Sequence, residues 1–392
     1  MSAKLHFMPC EELLDVENIQ RRLLIGIPAE ADANESRVVI TPETAAVLVQ
    51  HGHEVSVEKK AGKGANFSEM KYSEAGAHIV EREEVYQADI LFKINPPTID
   101  EINLMKNRQL LFSHIPMFRL SEKYVRKLTA KNITAIALEN IKDEFGNYPI
   151  SKITSEIAGI VSVQIASEYL GKTQGGNGVL LGGISGVSPA EIVIIGSGAA
   201  AEFAARSAIG LGASVRVFDN SVHGLQRLQK NLGVRLHTSV LHPQILTKSL
   251  AAADAVICAI YVDGNQHINE EMVMQMKKGS VIVDLSIDRG GCCETSELRT
   301  ISAPTIVKHG VIHYCVPNVA SRVSCTASSA ISNILANMIL NMGQLGSLSI
   351  WLKSDANLRN GIYMYNGILT NSHIGNYFAI PYQDIHLLMA AF

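Results

Sequence analysis

The sequence predicts an α/β protein of two doubly wound domains, the second inserted into a first that is discontinuous along the chain. Three observations carry this. Short apolar runs alternate with charged helical stretches across residues 23–139, a β-α-β-α rhythm that builds a mostly parallel sheet. A second series of such runs starts near residue 190. Two long helical patterns, SEIAGIVSVQIASEYLG (155–171) and ASSAISNILANMILNMGQL (327–345), flank that second series and join the two units. The tail from 346 to 392 is too short for a domain, so it returns to the first unit. The expected division is 1–150 with 326–392 for one domain and 151–325 for the other.

Taken in order, residues 9–22 read as a charged N-terminal helix. LLIGIP (23–28) is a continuous apolar run closed by proline, as in a strand buried on both faces. A helix is expected from Pro42 to Gln50, then a strand in GHEVSVE (52–58). ADILFKI (88–94), QLLFSHI (109–115) and ITAIALE (133–139) continue the first sheet. In the second unit the strands are EIVIIGSG (191–198), SVRVFD (214–219), DAVICAI (254–260) and SVIVDLS (280–286).

Composition narrows the function classes. Of 392 residues, 47% are apolar and 18% charged, which excludes general disorder. Lys and Arg number 34 against 37 Asp and Glu, so no net field draws the chain to nucleic acid or an anionic membrane. The most apolar stretches, such as residues 190–217, are interrupted by charges and glycines, so no membrane-spanning helix is expected. The first residues lack the apolar core of a signal peptide, which points to the cytoplasm. Six cysteines without a CxxC pair suggest reduced thiols and no zinc site, and no histidine has partners at metal-ligand spacing.

The most informative stretch is IVIIGSGAAAEFAARSAIGLGASVRVFD (192–219). An apolar strand runs into Gly196-x-Gly198-x-x-Ala201, and a helix follows. Gly196 permits the tight turn, Gly198 admits a pyrophosphate close to the backbone, and Ala201 lets helix and strand pack closely. The helix N-terminus adds unpaired N–H groups and a positive dipole end. Asp219 closes the next strand, roughly 20 residues beyond the glycines, where a carboxylate takes the ribose hydroxyls and disfavours a 2′-phosphate. The cofactor is therefore expected to be NAD. A tight turn without nucleotide is the alternative.

With these residues in view, the chain resembles the alanine dehydrogenase family and, more distantly, the NAD(H)-binding subunit of proton-pumping transhydrogenase. The resemblance runs over about residues 24–392. It rests on IGIPAE…NESRVVITPE (25–43), GHEVSVEKKAGKGANF (52–67), ADILFKINPP (88–97), SEIAG (155–159), KTQGGNGVLLGGISGV (172–187), SVIVDLSIDRGGCCETS (280–296) and HYCVPN (313–318). The TQGG…GG insert and the Gly-Gly-Cys run favour the alanine dehydrogenase branch. The resemblance implies two Rossmann-like domains around a cleft, and a homo-oligomer, hexameric in many members. It also implies reversible conversion of L-alanine, water and NAD to pyruvate, ammonium and NADH.

It further implies roles for particular residues. Arg37, on the loop after the first strand, matches an arginine that binds the substrate carboxylate, a task suited to its planar fork. A surface ion pair is the other reading. Lys93, in an apolar run, matches a lysine contacting the carboxylate or keto oxygen; the alternative is a snorkelling edge residue. Asp288 in SIDRGG matches an aspartate beside the nicotinamide ribose and substrate amine, whereas Asp284 is expected to be structural. Asn318 in YCVPN matches an asparagine near the nicotinamide amide and the substrate, or is a plain turn residue. Ser155, in SEIAG, joins the expected cofactor contacts.

Two positions depart from the family. Its acid/base histidine sits in a Q-x-L-F-x-x-x-H segment, and here Gln109-Leu110-Leu111-Phe112 leads to Pro116 at that place. His114, two residues earlier on the same strand face, is the expected substitute, or else a packed histidine without a role. Gly224 stands where the family often has a lysine near the adenosine ribose, which should weaken NAD binding modestly. The resulting reading is an NAD-dependent amino-acid dehydrogenase acting on alanine. The rivals are a dehydrogenase for another 2-oxo acid and a dinucleotide-binding protein without turnover.

Overall fold

The computed structural model describes residues 22–115, 120–260, 266–344 and 348–391. All of the expected N-terminal helix except Arg22, and Pro116, lie outside the described residues. Within them the chain builds two sheets, one of eight strands and one of seven.

The first sheet takes β1 (Leu24–Ile27), β2 (Glu54–Glu58), β3 (His78–Val80), β4 (Ile90–Phe92), β5 (Leu110–Ser113) and β6 (Thr134–Ala137), then regains the chain for β14 (Ile362–Tyr365) and β15 (Ile368–Leu369). Its order is β15-β14-β6-β5-β4-β1-β2-β3. Strands β1 to β6 are parallel, and β14 adds antiparallel to β6. Every residue of β4, β5 and β6 is buried, as continuous apolar runs between two helical layers should be.

The second sheet contains β7 (Glu191–Ile195), β8 (Ser214–Phe218), β9 (His237–Ser239), β10 (Ala255–Cys258), β11 (Val281–Asp284), β12 (Thr305–Lys308) and β13 (Val311–Tyr314). Its order is β12-β13-β11-β10-β7-β8-β9, parallel except for β12. The strand order reverses beside β7, the arrangement that opens a ligand crevice at the C-terminal edge.

Two helices run between the cores. In the helix Pro149–Leu170, started by a proline in its first turn, Ile150 belongs to the first core, and Val161, Val163, Ile165, Ala166, Tyr169 and Leu170 face the second. The helix Ser324–Gln344 sends Ile331, Leu335 and Ile339 into the first core, while Val319 just before it joins the second. The helical stretch Val319–Leu340 is long and apolar enough to cross a membrane by length and composition, contrary to the sequence expectation. It has no glycine and Arg322 as its one charge, so nothing interrupts it. In the fold its Ser328 and Ser332 take the backbone N–H groups of Val38 and Thr41 at 2.9 and 3.0 Å, as a core helix does.

Candidate active site

In the first sheet the strand order reverses between β1 and β4. The loops leaving these strands therefore part at the C-terminal edge and form a crevice. The loop after β1 supplies Glu30, Glu35 and Arg37; the turn after β4 supplies Lys93 and Asn95.

The Arg37 side chain is 5% exposed and that of Glu35 1%. Arg37 donates from Nε at 2.9 Å and Nη2 at 2.8 Å to the two Glu35 oxygens. Its Nη1 is buried with no hydrogen-bond partner among the described residues. One edge of the fork is thus committed and the other holds an unused donor. Burial would raise the Glu35 carboxyl, but the adjoining guanidinium outweighs it and holds the group below its ordinary value.

Glu35 also joins the two halves of the chain. Asn318 Nδ2 donates to it at 2.5 Å and Ser321 Oγ at 3.1 Å, while Ser36 N–H donates back to Ser321 Oγ at 2.8 Å. Asn318 adopts the left-handed conformation, φ 61°, expected of a turn residue, and its amide still reaches across. Sequence reasoning missed Glu35. The available signal was an acid two residues from an arginine in one loop.

Lys93 follows β4 directly and is 1% exposed. Its ammonium is committed to protein groups: the Ala29 carbonyl at 3.0 Å, Glu101 at 3.1 Å and, more distantly, Glu30 at 3.7 Å. Glu30 in turn accepts the N–H groups of Ile94 at 2.6 Å and Asn95 at 3.2 Å, tying the β1 loop to the β4 turn. Burial pushes the Glu30 carboxyl up to about 7 despite Lys93. For Glu101 burial again opposes ionisation, and there Lys93 and the Thr98 N–H prevail and lower it. None of these carboxylates stood out in the sequence.

His114, just past β5, is partly exposed, with Nδ1 2.9 Å from Glu139 Oε2. A carboxylate only accepts, so the hydrogen sits on Nδ1 and Nε2 is left as the basic nitrogen. Glu139 Oε1 also accepts the Ile115 N–H at 2.7 Å, which fixes the carboxylate against the strand end. Burial raises Glu139, but His114 and the Ile115 N–H more than offset it.

The second crevice carries the fingerprint. Gly196 has φ 117°, and a Cβ there would lie 2.3 Å from the Ala259 carbonyl oxygen, so only glycine fits. Gly198 caps the helix Ala199–Gly210 and faces open space, while Ala201 is fully buried beneath it. Gly159 brings the helix Pro149–Leu170 so close that a Cβ would meet the Ala200 carbonyl oxygen at 2.3 Å. Ser155, four residues earlier, lies on that same helix face toward the fingerprint turn. Asp219 follows β8 and accepts from Ser197 Oγ at 2.8 Å and Ser221 N–H at 2.7 Å.

Asp288 is exposed in the short turn Ile287–Arg289 after β11. Asp284 is buried at the end of β11 and accepts the N–H groups of Ser286 and Cys292, both at 3.0 Å. It shapes the turn that presents Asp288, a structural role. Burial raises its carboxyl. Among the described residues no group of three or more His, Cys, Asp or Glu is arranged to hold a metal.

Two family descriptions match: "Alanine dehydrogenase/PNT, N-terminal domain" over residues 26–158 and "Alanine dehydrogenase/PNT, C-terminal domain" over 162–372. This chain belongs to the alanine dehydrogenase/PNT family. An alanine dehydrogenase of Staphylococcus saprophyticus is 37% identical over 368 residues, covering 93% of this chain and 99% of that one. Alanine dehydrogenase 2 of Staphylococcus aureus is 36% identical over 366 residues, 92% and 98% of the two chains. Among solved structures, an L-alanine dehydrogenase superposes with a TM-score of 0.84 at 34% identity, covering 91% of this chain and 99% of that one. A transhydrogenase from Sinorhizobium meliloti shares the fold, with a TM-score of 0.76 at 23% identity over 89% and 99% of the chains. The paired parallel sheets of this chain are the architecture of the alanine dehydrogenase family.

Proposed function

We propose that this protein is an NAD-dependent L-alanine dehydrogenase, an oxidoreductase acting on a CH–NH2 group. The observation that carries the reading is Arg37: a buried guanidinium with one unused nitrogen, at the reversal of strand order, in a chain akin to alanine dehydrogenases over 93% of its length. A small carboxylate is the natural occupant of that nitrogen. The proposal includes the expected domain division and a cytoplasmic homo-oligomer.

The second crevice suits a dinucleotide. The close approach at Gly196, the open space at Gly198 and the carboxylate of Asp219 fit a pyrophosphate and an adenosine ribose without 2′-phosphate. When bound, the nicotinamide supplies the hydride acceptor for alanine oxidation. Arg37 Nη1 holds the substrate carboxylate, with Glu35 keeping the guanidinium flat and in place. Lys93 maintains the crevice edge through Glu30 and Glu101; its direct contact with substrate requires the ammonium to leave Glu101. Asp288 steadies the cationic iminium, and Asn318 orients the nicotinamide amide or the substrate from the opposite domain. His114 Nε2 takes the proton from the attacking water, with Nδ1 held by Glu139.

The test is NADH oxidation with pyruvate and ammonium, run beside a panel of larger 2-oxo acids. Preference for pyruvate is expected. Preference for another acid moves the substrate assignment, and no turnover with NADH binding intact favours a dinucleotide-binding protein without a reaction.

A further inference from the structure

Between the two fingerprint glycines lies Ser197. It is buried, and its hydroxyl donates to Asp219 Oδ2 at 2.8 Å, while the Ser221 N–H donates to Oδ1 at 2.7 Å. Both carboxylate oxygens are thereby held, and each keeps a lone pair for a further donor. Behind the serine is Gly224, in the first turn of the helix Val222–Leu232. A Cβ at Gly224 would lie 2.2 Å from Ser197 Oγ. The backbone does not ask for glycine, since this residue has ordinary helical geometry, and helix propensity argues against one there. Arg227 Nη2 donates to the Ser197 carbonyl at 3.2 Å and braces the loop.

We propose that Ser197 and Gly224 are a matched pair that aims Asp219 and so sets the nucleotide preference. Gly224 lacks a side chain because the Ser197 hydroxyl fills that volume, and the hydroxyl holds the carboxylate in one orientation. Ribose hydroxyls then meet a fixed acceptor, and a 2′-phosphate meets a charge that cannot turn aside. Ser197 is a positioning residue in this account. The inference rests on the reading of residues 192–219 as a dinucleotide site.

A double-mutant cycle read by NADH and NADPH fluorescence titration tests it, with Ser197→Ala, Gly224→Ala and the double variant. Gly224→Ala is expected to fold: the severe clash, 2.2 Å, is with the Ser197 hydroxyl, which can rotate away, while the contacts at 3.2 Å to Ser221 Oγ and 3.3 Å to Ser197 Cβ need only small shifts, and a melting curve checks this. Each single change should weaken NADH binding about tenfold, the loss of one hydrogen bond to a charged group, and narrow the preference over NADPH. The double variant should bind no more weakly than either single one, since both remove the same bond. Singles within twofold of the unmutated protein, or effects that multiply in the double variant, overturn the pair. If the unmutated protein binds neither dinucleotide, the site reading falls and the pair with it; an NADH preference that both substitutions leave undiminished overturns the pair alone.

Discussion

Arg37→Ala separates a substrate anchor from a structural ion pair, because the structure assigns the guanidinium two edges with different work. The Nε/Nη2 edge pairs with Glu35, both side chains being nearly inaccessible. Removing one partner of a buried pair costs about 3–5 kcal/mol. Glu35 retains Asn318, Ser321 and the Arg37 N–H, so the lower end applies. A loss of about 3 kcal/mol in a domain of this size lowers Tm by roughly 6–12 °C. The sign with pH follows from Glu35, whose folded pKa lies below its ordinary 4.5. Its stabilisation is present above that value and lost as pH falls through the folded pKa, so the variant and the unmutated protein should converge in acid. The Nη1 edge is the substrate side. Losing a charged hydrogen bond of about 1.5–3 kcal/mol should cut kcat/KM for pyruvate by about ten- to a hundredfold, with NADH affinity unchanged. The assays are initial rates across a pyruvate series, NADH titration and thermal melts. A lowered Tm with kcat/KM within twofold of normal would refute the anchor role and leave Arg37 as the partner of Glu35 alone.

Lys93→Met should destabilise the fold by about 3–5 kcal/mol, since Glu30 and Glu101 would lose their shared cation; an unmoved denaturation midpoint with lost turnover would instead put the ammonium on the substrate. Glu30, pushed up to about 7 by burial, takes up a proton on folding. Its effect is that stability falls, by on the order of 3 kcal/mol, as pH rises from its ordinary value to about 7. Glu30→Gln should remove that slope, and urea melts at several pH values measure it. His114→Ala should lower turnover by about 10²–10⁴ with NADH affinity kept; unchanged turnover transfers the proton to water or Asp288. Gly196→Ala forces a methyl group against the Ala259 carbonyl and should abolish NADH binding, so retained affinity in a titration would show that this turn is not the cradle.

The sequence by itself determined the strands buried on both faces, because a continuous apolar run such as ILF or AVIC has no other stable place. It also determined the fingerprint turn, whose chemistry is local: a strand, two glycines and a helix start within a few residues. It did not reveal β3, β9, β12, β13, β14 or β15. His237–Ser239 carries no apolar residue at all, and such short strands exist because a neighbouring strand offers hydrogen bonds. The site divides in the same way. Arg37, Lys93, His114 and Asn318 were legible as residue types in recognisable segments. What each side chain binds was not, since Asn318 meets Glu35 across 283 residues of chain and Arg37 shares that same carboxylate. The carboxylates that pair with these groups, Glu30, Glu35, Glu101 and Glu139, look like any surface acid in the sequence. Only the tertiary structure decided that Glu30, Glu35 and Glu101 are buried and Glu139 half-buried, because the cost of burying a charge is met by partners that the chain brings together when it folds.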